Sequence, residues 1–119
     1  MTPQEIHRFV ELWEKVSNEV HGESVKHGFW KTDRGEVDRN VGEAIALIHS
    51  ELSEALEAFR NGNSHDSALT MYGGVEVELA DVIIRIMDLS TGFRWRVIQA
   101  LFSKMEYNAI RAYRHGKDF

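Results

Sequence analysis

At 119 residues the chain has room for one domain and not for a second independent core. Hydrophobic residues make up 43% and charged residues 28%, a globular rather than disordered balance, and the absence of cysteine excludes a disulfide framework, thiolate zinc or iron–sulfur centres and a cysteine nucleophile. The net charge of −5 divides into +4 from Phe93 onward and −9 over residues 1–92, an acidic body with a basic tail that argues against a duplex nucleic-acid binder and fits either a small metal-bound anion or a merely solvated surface.

No apolar run approaches the roughly 18 residues of a membrane span, so no membrane partner is expected. The start, Met1-Thr2-Pro3-Gln4-Glu5, is polar and lacks the apolar stretch of a signal peptide. A cytoplasmic protein is the expectation.

The first helix is expected over residues 3–20. Thr2 is a suitable N-cap, Pro3 a first-turn residue, and Glu5 completes a capping box. Ile6, Phe9, Val10, Leu12, Trp13 and Val16 recur at helical spacing, which makes Trp13 a core residue. Residues 21–39 break the pattern with His21-Gly22, His27-Gly28-Phe29-Trp30 and Asp33-Arg34-Gly35. Trp30, in this stretch, can stack on a nucleobase or cap the core.

A second helix is expected from about Asn40 to Arg60. Val41, Ile45, Ile48, Leu52, Leu56 and Phe59 form one apolar stripe, and Glu51 and Glu54 lie side by side on its flank, bracketed by Leu47 and Ala58. A third helix, from about Val75 to Leu89, is apolar nearly all round, the mark of a buried helix. So small a chain covers such a helix with difficulty unless a partner subunit helps. Glu78, Asp81, Arg85 and Asp88 share one wedge about 80° wide on that helix. Buried carboxylates need a positive partner. Two solutions stand open: an ion-pair ladder through Arg85, or a divalent cation among the four or five carboxylates that this wedge and Glu51 and Glu54 bring together. Oxygen ligands without Cys or an E-x-x-H motif select Mg²⁺ or Mn²⁺ and count against a di-iron bundle. A fourth helix, from about Trp95 to Tyr113, sets Lys104, Asn108, Arg111 and His115 in one polar line. That line suits a polyphosphate or a solvated face.

The run Ile48-His49-Ser50-Glu51-Leu52-Ser53-Glu54-Ala55-Leu56-Glu57-Ala58, with Glu78-Leu79-Ala80-Asp81 after it, resembles the E-x-x-E and E-x-x-D motifs of the MazG-like all-α nucleoside triphosphate pyrophosphohydrolases. Lys104-Met105-Glu106-Tyr107-Asn108-Ala109-Ile110-Arg111 and Arg114-His115-Gly116-Lys117-Asp118-Phe119 resemble the tail of its compact members. The likeness runs from about Arg39 to the end, with a weaker match at Gly28-Phe29-Trp30. Many members carry a further Glu just before the first motif, where this chain has Ser50; the four-carboxylate core is unaffected.

The resemblance implies an all-α, four-helix MazG-like bundle over residues 1–119, assembled as a homodimer or a dimer of dimers. It implies Mg²⁺-dependent cleavage of a nucleoside triphosphate into monophosphate and pyrophosphate. Glu51, Glu54, Glu78 and Asp81 would hold the metal, and Lys104, Asn108 and Arg111 would meet the phosphates, with His115 beside them. Glu54 is the candidate to orient or deprotonate the attacking water, and Lys104 to stabilise charge on the transferring group. The rival reading is a non-enzymatic helical dimer with a structural carboxylate–arginine cluster.

Overall fold

The computed structural model describes residues 1–31 and 38–118. It is all-α, with helices α1 (Pro3–Lys26), α2 (Val41–Arg60), α3 (Gly74–Phe93) and α4 (Val97–Ala109), a 3-10 turn at Tyr113–Gly116, and no strand among the described residues. The expected turn at Asp33-Arg34-Gly35 and the terminal Phe119 lie outside the described residues.

Local chemistry sets most helix ends. The Thr2 hydroxyl accepts from the Glu5 N–H while the Glu5 carboxylate accepts from the Thr2 N–H, closing the capping box. α1 continues to Lys26 instead of ending near residue 20. An interior glycine such as Gly22 weakens a helix by only about 1 kcal/mol relative to alanine, and packing of this segment on α3 outweighs that. The chain turns at Gly28, whose φ of 85° suits glycine. At α2 the Asn40 side chain accepts from the Glu43 N–H. Asn63, itself at φ 50°, reaches across the next loop and accepts from the Val75 N–H, capping α3 where Gly73 has no side chain to do so. α4 is shorter than expected at both ends. The Trp95 N–H is used on the Ser90 carbonyl in the turn that closes α3, and Arg114 and His115 take left-handed φ values of 53° and 54°.

α3 lies between α2 and α1. α2 and α3 form an antiparallel hairpin, and α1 runs back along α3 so that His21 and Ser24 meet Asp88. The N-terminal part of α1 passes the end of α3, and α4 packs there through an edge-on Phe9–Phe102 pair and a Gln99–Glu14 hydrogen bond.

The apolar stripe of α2 does not form the intrachain core. α2 lays Ala44, Glu51 and Ala55 against its neighbours, and small side chains let the helices approach. Ile45, Leu52, Leu56 (50% exposed) and Phe59 (70% exposed) stand outward. Leu79, Ile83 and Ile84 do the same on α3. The radius of gyration is 17.1 Å, against about 13.5 Å for a compact domain of this length. The accessible surface is 9322 Å², where a compact monomer of this mass exposes about 6,600 Å².

Candidate functional site

The hairpin register brings the two acid motifs together. Glu51 and Glu54 sit in the second half of α2, and Glu78 lies one turn inside α3. Carboxylate oxygens of Glu51, Glu54 and Glu78 all fall within 4.8 Å of one another, with Glu51 buried, Glu78 half-buried and Glu54 exposed. Asp81 is not part of that set. It is half-buried and lines the same cavity as Glu51 and Arg85.

Among the described residues, one cation pairs with these three acidic groups. Arg85 donates from Nε to Glu51 Oε1 at 2.9 Å. Burial pushes the Glu51 carboxyl up, but the Arg85 hydrogen bond and those shared with Glu54 and Glu78 outweigh it and hold the group below its usual range. Glu78 absorbs the conflict. Burial first, then its hydrogen bonds to Glu51 and Glu54 and their negative charge, raise it to about 7. Burial and the Glu51 charge also raise Asp81, with Arg85 opposing them. The donor set is all carboxylate oxygen, the chemistry that suits a hard divalent cation such as Mg²⁺ or Mn²⁺.

Asp88 does not join this group, although it shares the wedge read from the sequence. Its carboxylate accepts from four side chains: His21 Nδ1 at 2.8 Å and Trp30 Nε1 at 2.8 Å on Oδ1, and Ser24 Oγ at 2.6 Å and Arg39 NH1 at 2.7 Å on Oδ2. Burial works to raise the group, and the four donors together hold it below the usual Asp range. It is a buried ion pair tying α3 to α1 and to the residues just before α2.

Of the two roles read from the sequence for Trp30, the structure favours the core cap. Its indole is 5% exposed, is bonded to Asp88, and packs on His21, Phe93 and the Arg39 guanidinium. Gly92 makes room for it: a Cβ there would lie 2.0 Å from the ring. A side chain so enclosed caps the core.

The basic line of α4 is not brought to the carboxylates within one chain. From Glu78 to the end of α3 at Phe93 the axis rises roughly 22 Å, and α4 starts beyond that end. No hydrogen bond or ion pair among the described residues joins α4 to Glu51, Glu54, Glu78 or Asp81. Lys104 and Arg111 instead lie over the Tyr107 ring at 4.8 and 5.4 Å. The Asn108 side-chain amide oxygen is buried without a partner among the described residues, and His115 is exposed in the C-terminal turn.

Between α1, α2 and α3 a cavity of about 590 Å³ is walled by Glu51, Asp81, Ile84, Arg85, Ser24 and Arg39. It joins the acidic cluster to the Asp88 ion pair and offers both carboxylates and arginine edges to a ligand. Sequence reading missed His21, Ser24 and Arg39; the one signal was that Asp88, between Met87 and Leu89, required a donor from elsewhere. No helix is long and apolar enough to cross a membrane among the described residues. No family model, curated protein or solved structure matches this chain.

Proposed function

We propose that the protein is a divalent-metal-dependent nucleoside triphosphate pyrophosphohydrolase, releasing monophosphate and pyrophosphate, and that it works as at least a homodimer. The observation that carries this reading is the convergence of Glu51, Glu54 and Glu78 from two helices onto one point. Those three would hold the cation, with Asp81 beside them. A Mg²⁺ ion there supplies charge screening for the triphosphate and acidifies a water. Glu54, the exposed member, would be the carboxylate to orient an attacking water and accept its proton. Arg85 limits the negative charge of the cluster.

The dimer follows from surface. The chain exposes about 2,700 Å² more than a compact monomer of its mass, enough to supply one side of a large obligate interface, which takes about 1,000–2,500 Å² from each partner. Covering Leu52, Leu56, Phe59, Ile83 and Ile84 with a second copy uses it. A partner is also the means by which Lys104, Asn108 and Arg111 reach a carboxylate site, since their own lies at the far end of α3. Localisation in the cytoplasm belongs to this proposal.

The Arg85–Glu51 pair favours the second reading, a helical dimer without activity whose acidic cluster is structural. A panel of nucleoside triphosphates with Mg²⁺ separates the two. The enzyme reading expects monophosphate and pyrophosphate in equal amounts, lost on chelation. No turnover of any member of the panel, or diphosphate and phosphate as products, would overturn it.

A further inference from the structure

Two side chains on the wall of the 590 Å³ cavity are fixed on one atom. Ser24 Oγ and Arg39 NH1 both donate to Asp88 Oδ2, at 2.6 and 2.7 Å. We propose that this pair reads the base of a nucleotide seated in the cavity, and that it selects a base with an oxo group where cytosine and adenine carry an amino group. The choice of a nucleotide as ligand rests on the hydrolase reading of the acidic cluster; the preference among bases comes from Ser24 and Arg39.

Asp88 assigns the two side chains opposite roles. The Arg39 side chain is 11% exposed, gives one N–H to Asp88, and has its guanidinium carbon 5.1 Å from the centre of the Trp30 ring. A guanidinium carries five N–H donors and no acceptor, so toward a ligand Arg39 acts as a donor alone. Ser24 is the reverse. Its single proton is given to Asp88, and toward any other group its Oγ offers lone pairs. The ionised Asp88 carboxylate accepts only, so it holds the Ser24 proton in that direction. The outcome is a donor beside an acceptor, neither free to change role.

That pair matches a lactam edge, where a carbonyl oxygen stands next to a ring N–H, as in uracil, hypoxanthine and guanine. Arg39 donates to the oxygen in a charge-assisted bond, and the ring N–H donates to Ser24 Oγ. Cytosine or adenine in the same place sets an amino group against Arg39 and a bare ring nitrogen against Ser24. Donor then faces donor and lone pair faces lone pair, each left unsatisfied. The rest of the cavity suits a base. Val20 and the 59% exposed ring of Phe29 supply apolar surface for its faces. Glu51 and Asp81 on the same wall put the cavity beside the proposed cation, where the phosphates would lie. The volume falls within the range of about 300–1,000 Å³ usual for small-molecule sites.

Nucleoside monophosphates in chelator test this without turnover. Uridine against cytidine monophosphate, and inosine against adenosine monophosphate, are pairs of matched size that differ at the oxo or amino group and the adjacent ring nitrogen. Amide resonances of the full chain would be followed during each titration. The oxo member of each pair should show a midpoint lower by about tenfold. Arg39→Met should weaken binding of the oxo members and bring each pair to a common midpoint. If that variant does not fold, the double variant Asp88→Asn with Arg39→Met, which leaves no buried charge unpaired, takes its place with the same expectation. Equal midpoints in the wild type, tighter binding of the amino members, no saturable shift with any of the four, or a preference that survives in the folded variant would overturn the proposal. Failure of the hydrolase reading gives a different pattern. An oxo preference in binding without turnover of any triphosphate removes the hydrolase and keeps this pair as the base reader. Turnover of uridine and cytidine triphosphates alongside equal monophosphate midpoints keeps the hydrolase and removes the base reader.

Discussion

Replacing Asp88 by Asn keeps the shape of the side chain and removes its charge. Four donors then face a group with one acceptor oxygen. The amide nitrogen must point at either the His21–Trp30 pair or the Ser24–Arg39 pair. His21 and Ser24 can turn acceptor, but Trp30 Nε1 and Arg39 cannot. Turning the nitrogen toward Trp30 orphans a neutral donor, a loss of about 1–3 kcal/mol. Turning it toward Arg39 orphans a buried cation, a loss of about 3–5 kcal/mol. The first orientation is the cheaper, yet Arg39 still loses its counter-charge. A net loss of about 3 kcal/mol is therefore expected, out of the roughly 5–15 kcal/mol typical of a domain. Urea unfolding at pH 7 and fixed protein concentration measures it. The double variant Asp88→Asn with Arg39→Met should lose less than the two single losses added, because no unpaired cation remains. In the wild type the depressed Asp88 carboxyl stabilises the fold at all pH values above about 4, and this contribution disappears as pH falls through the depressed value. A loss below about 1 kcal/mol for Asp88→Asn, or strictly additive losses, would refute this account of the ion pair.

Glu78 has the opposite sign. Its folded pKa of about 7 lies above the ordinary 4.5, so the folded protein holds an extra proton between those values, and metal-free stability should fall as pH rises from 5 to 8; melting curves should show this fall in the wild type, and Glu78→Gln should flatten it. Leu56→Asp places a charge in the outward stripe of α2 and should yield monomer by sedimentation at a concentration where the wild type is at least dimeric; an unchanged mass would count against that interface. Arg111→Ala should leave the melting temperature nearly unchanged, since the Arg111 guanidinium lies over the Tyr107 ring and makes no ion pair among the described residues, while lowering kcat/KM by roughly 2–4 kcal/mol of transition-state stabilisation. A melting temperature that drops with activity per folded molecule intact would assign Arg111 a structural role instead.

The helices were legible because their signals are local. Thr2 with Glu5, Pro3, and Asn40 with Glu43 act over three residues, so the sequence displays them directly. The pairing of Glu51 and Glu54 with Glu78 was legible for a similar reason: i, i+3 acids on adjacent antiparallel helices meet once the hairpin forms. The Asp88 partners were not, because Arg39 and His21 lie 49 and 67 residues away, and no periodicity encodes which donor arrives. Periodicity also identified the apolar stripe of α2 without saying what covers it, and within the chain that face stays open. The direction of α4 depends on a single left-handed residue, Arg94, which no composition signal marks. Of the basic line only Lys104 and Asn108 lie on α4, while Arg111 and His115 follow its end, and the distance of the line from the carboxylates stays hidden.

Mn²⁺ binding followed by electron paramagnetic resonance tests the carboxylate centre most directly, because free and bound ion are read without reference to turnover. At pH 8, where Glu78 is ionised, the wild type should bind one or more Mn²⁺ per chain in competition with Mg²⁺. Glu51→Gln, Glu54→Gln and Glu78→Gln should each weaken binding by tenfold or so, about 1.4 kcal/mol, and binding by the wild type should fall as pH drops below 7 and Glu78 takes up its proton. Wild-type protein that leaves the Mn²⁺ signal unchanged at pH 8, or three variants that bind as tightly as the wild type, would contradict a metal centre at Glu51, Glu54 and Glu78.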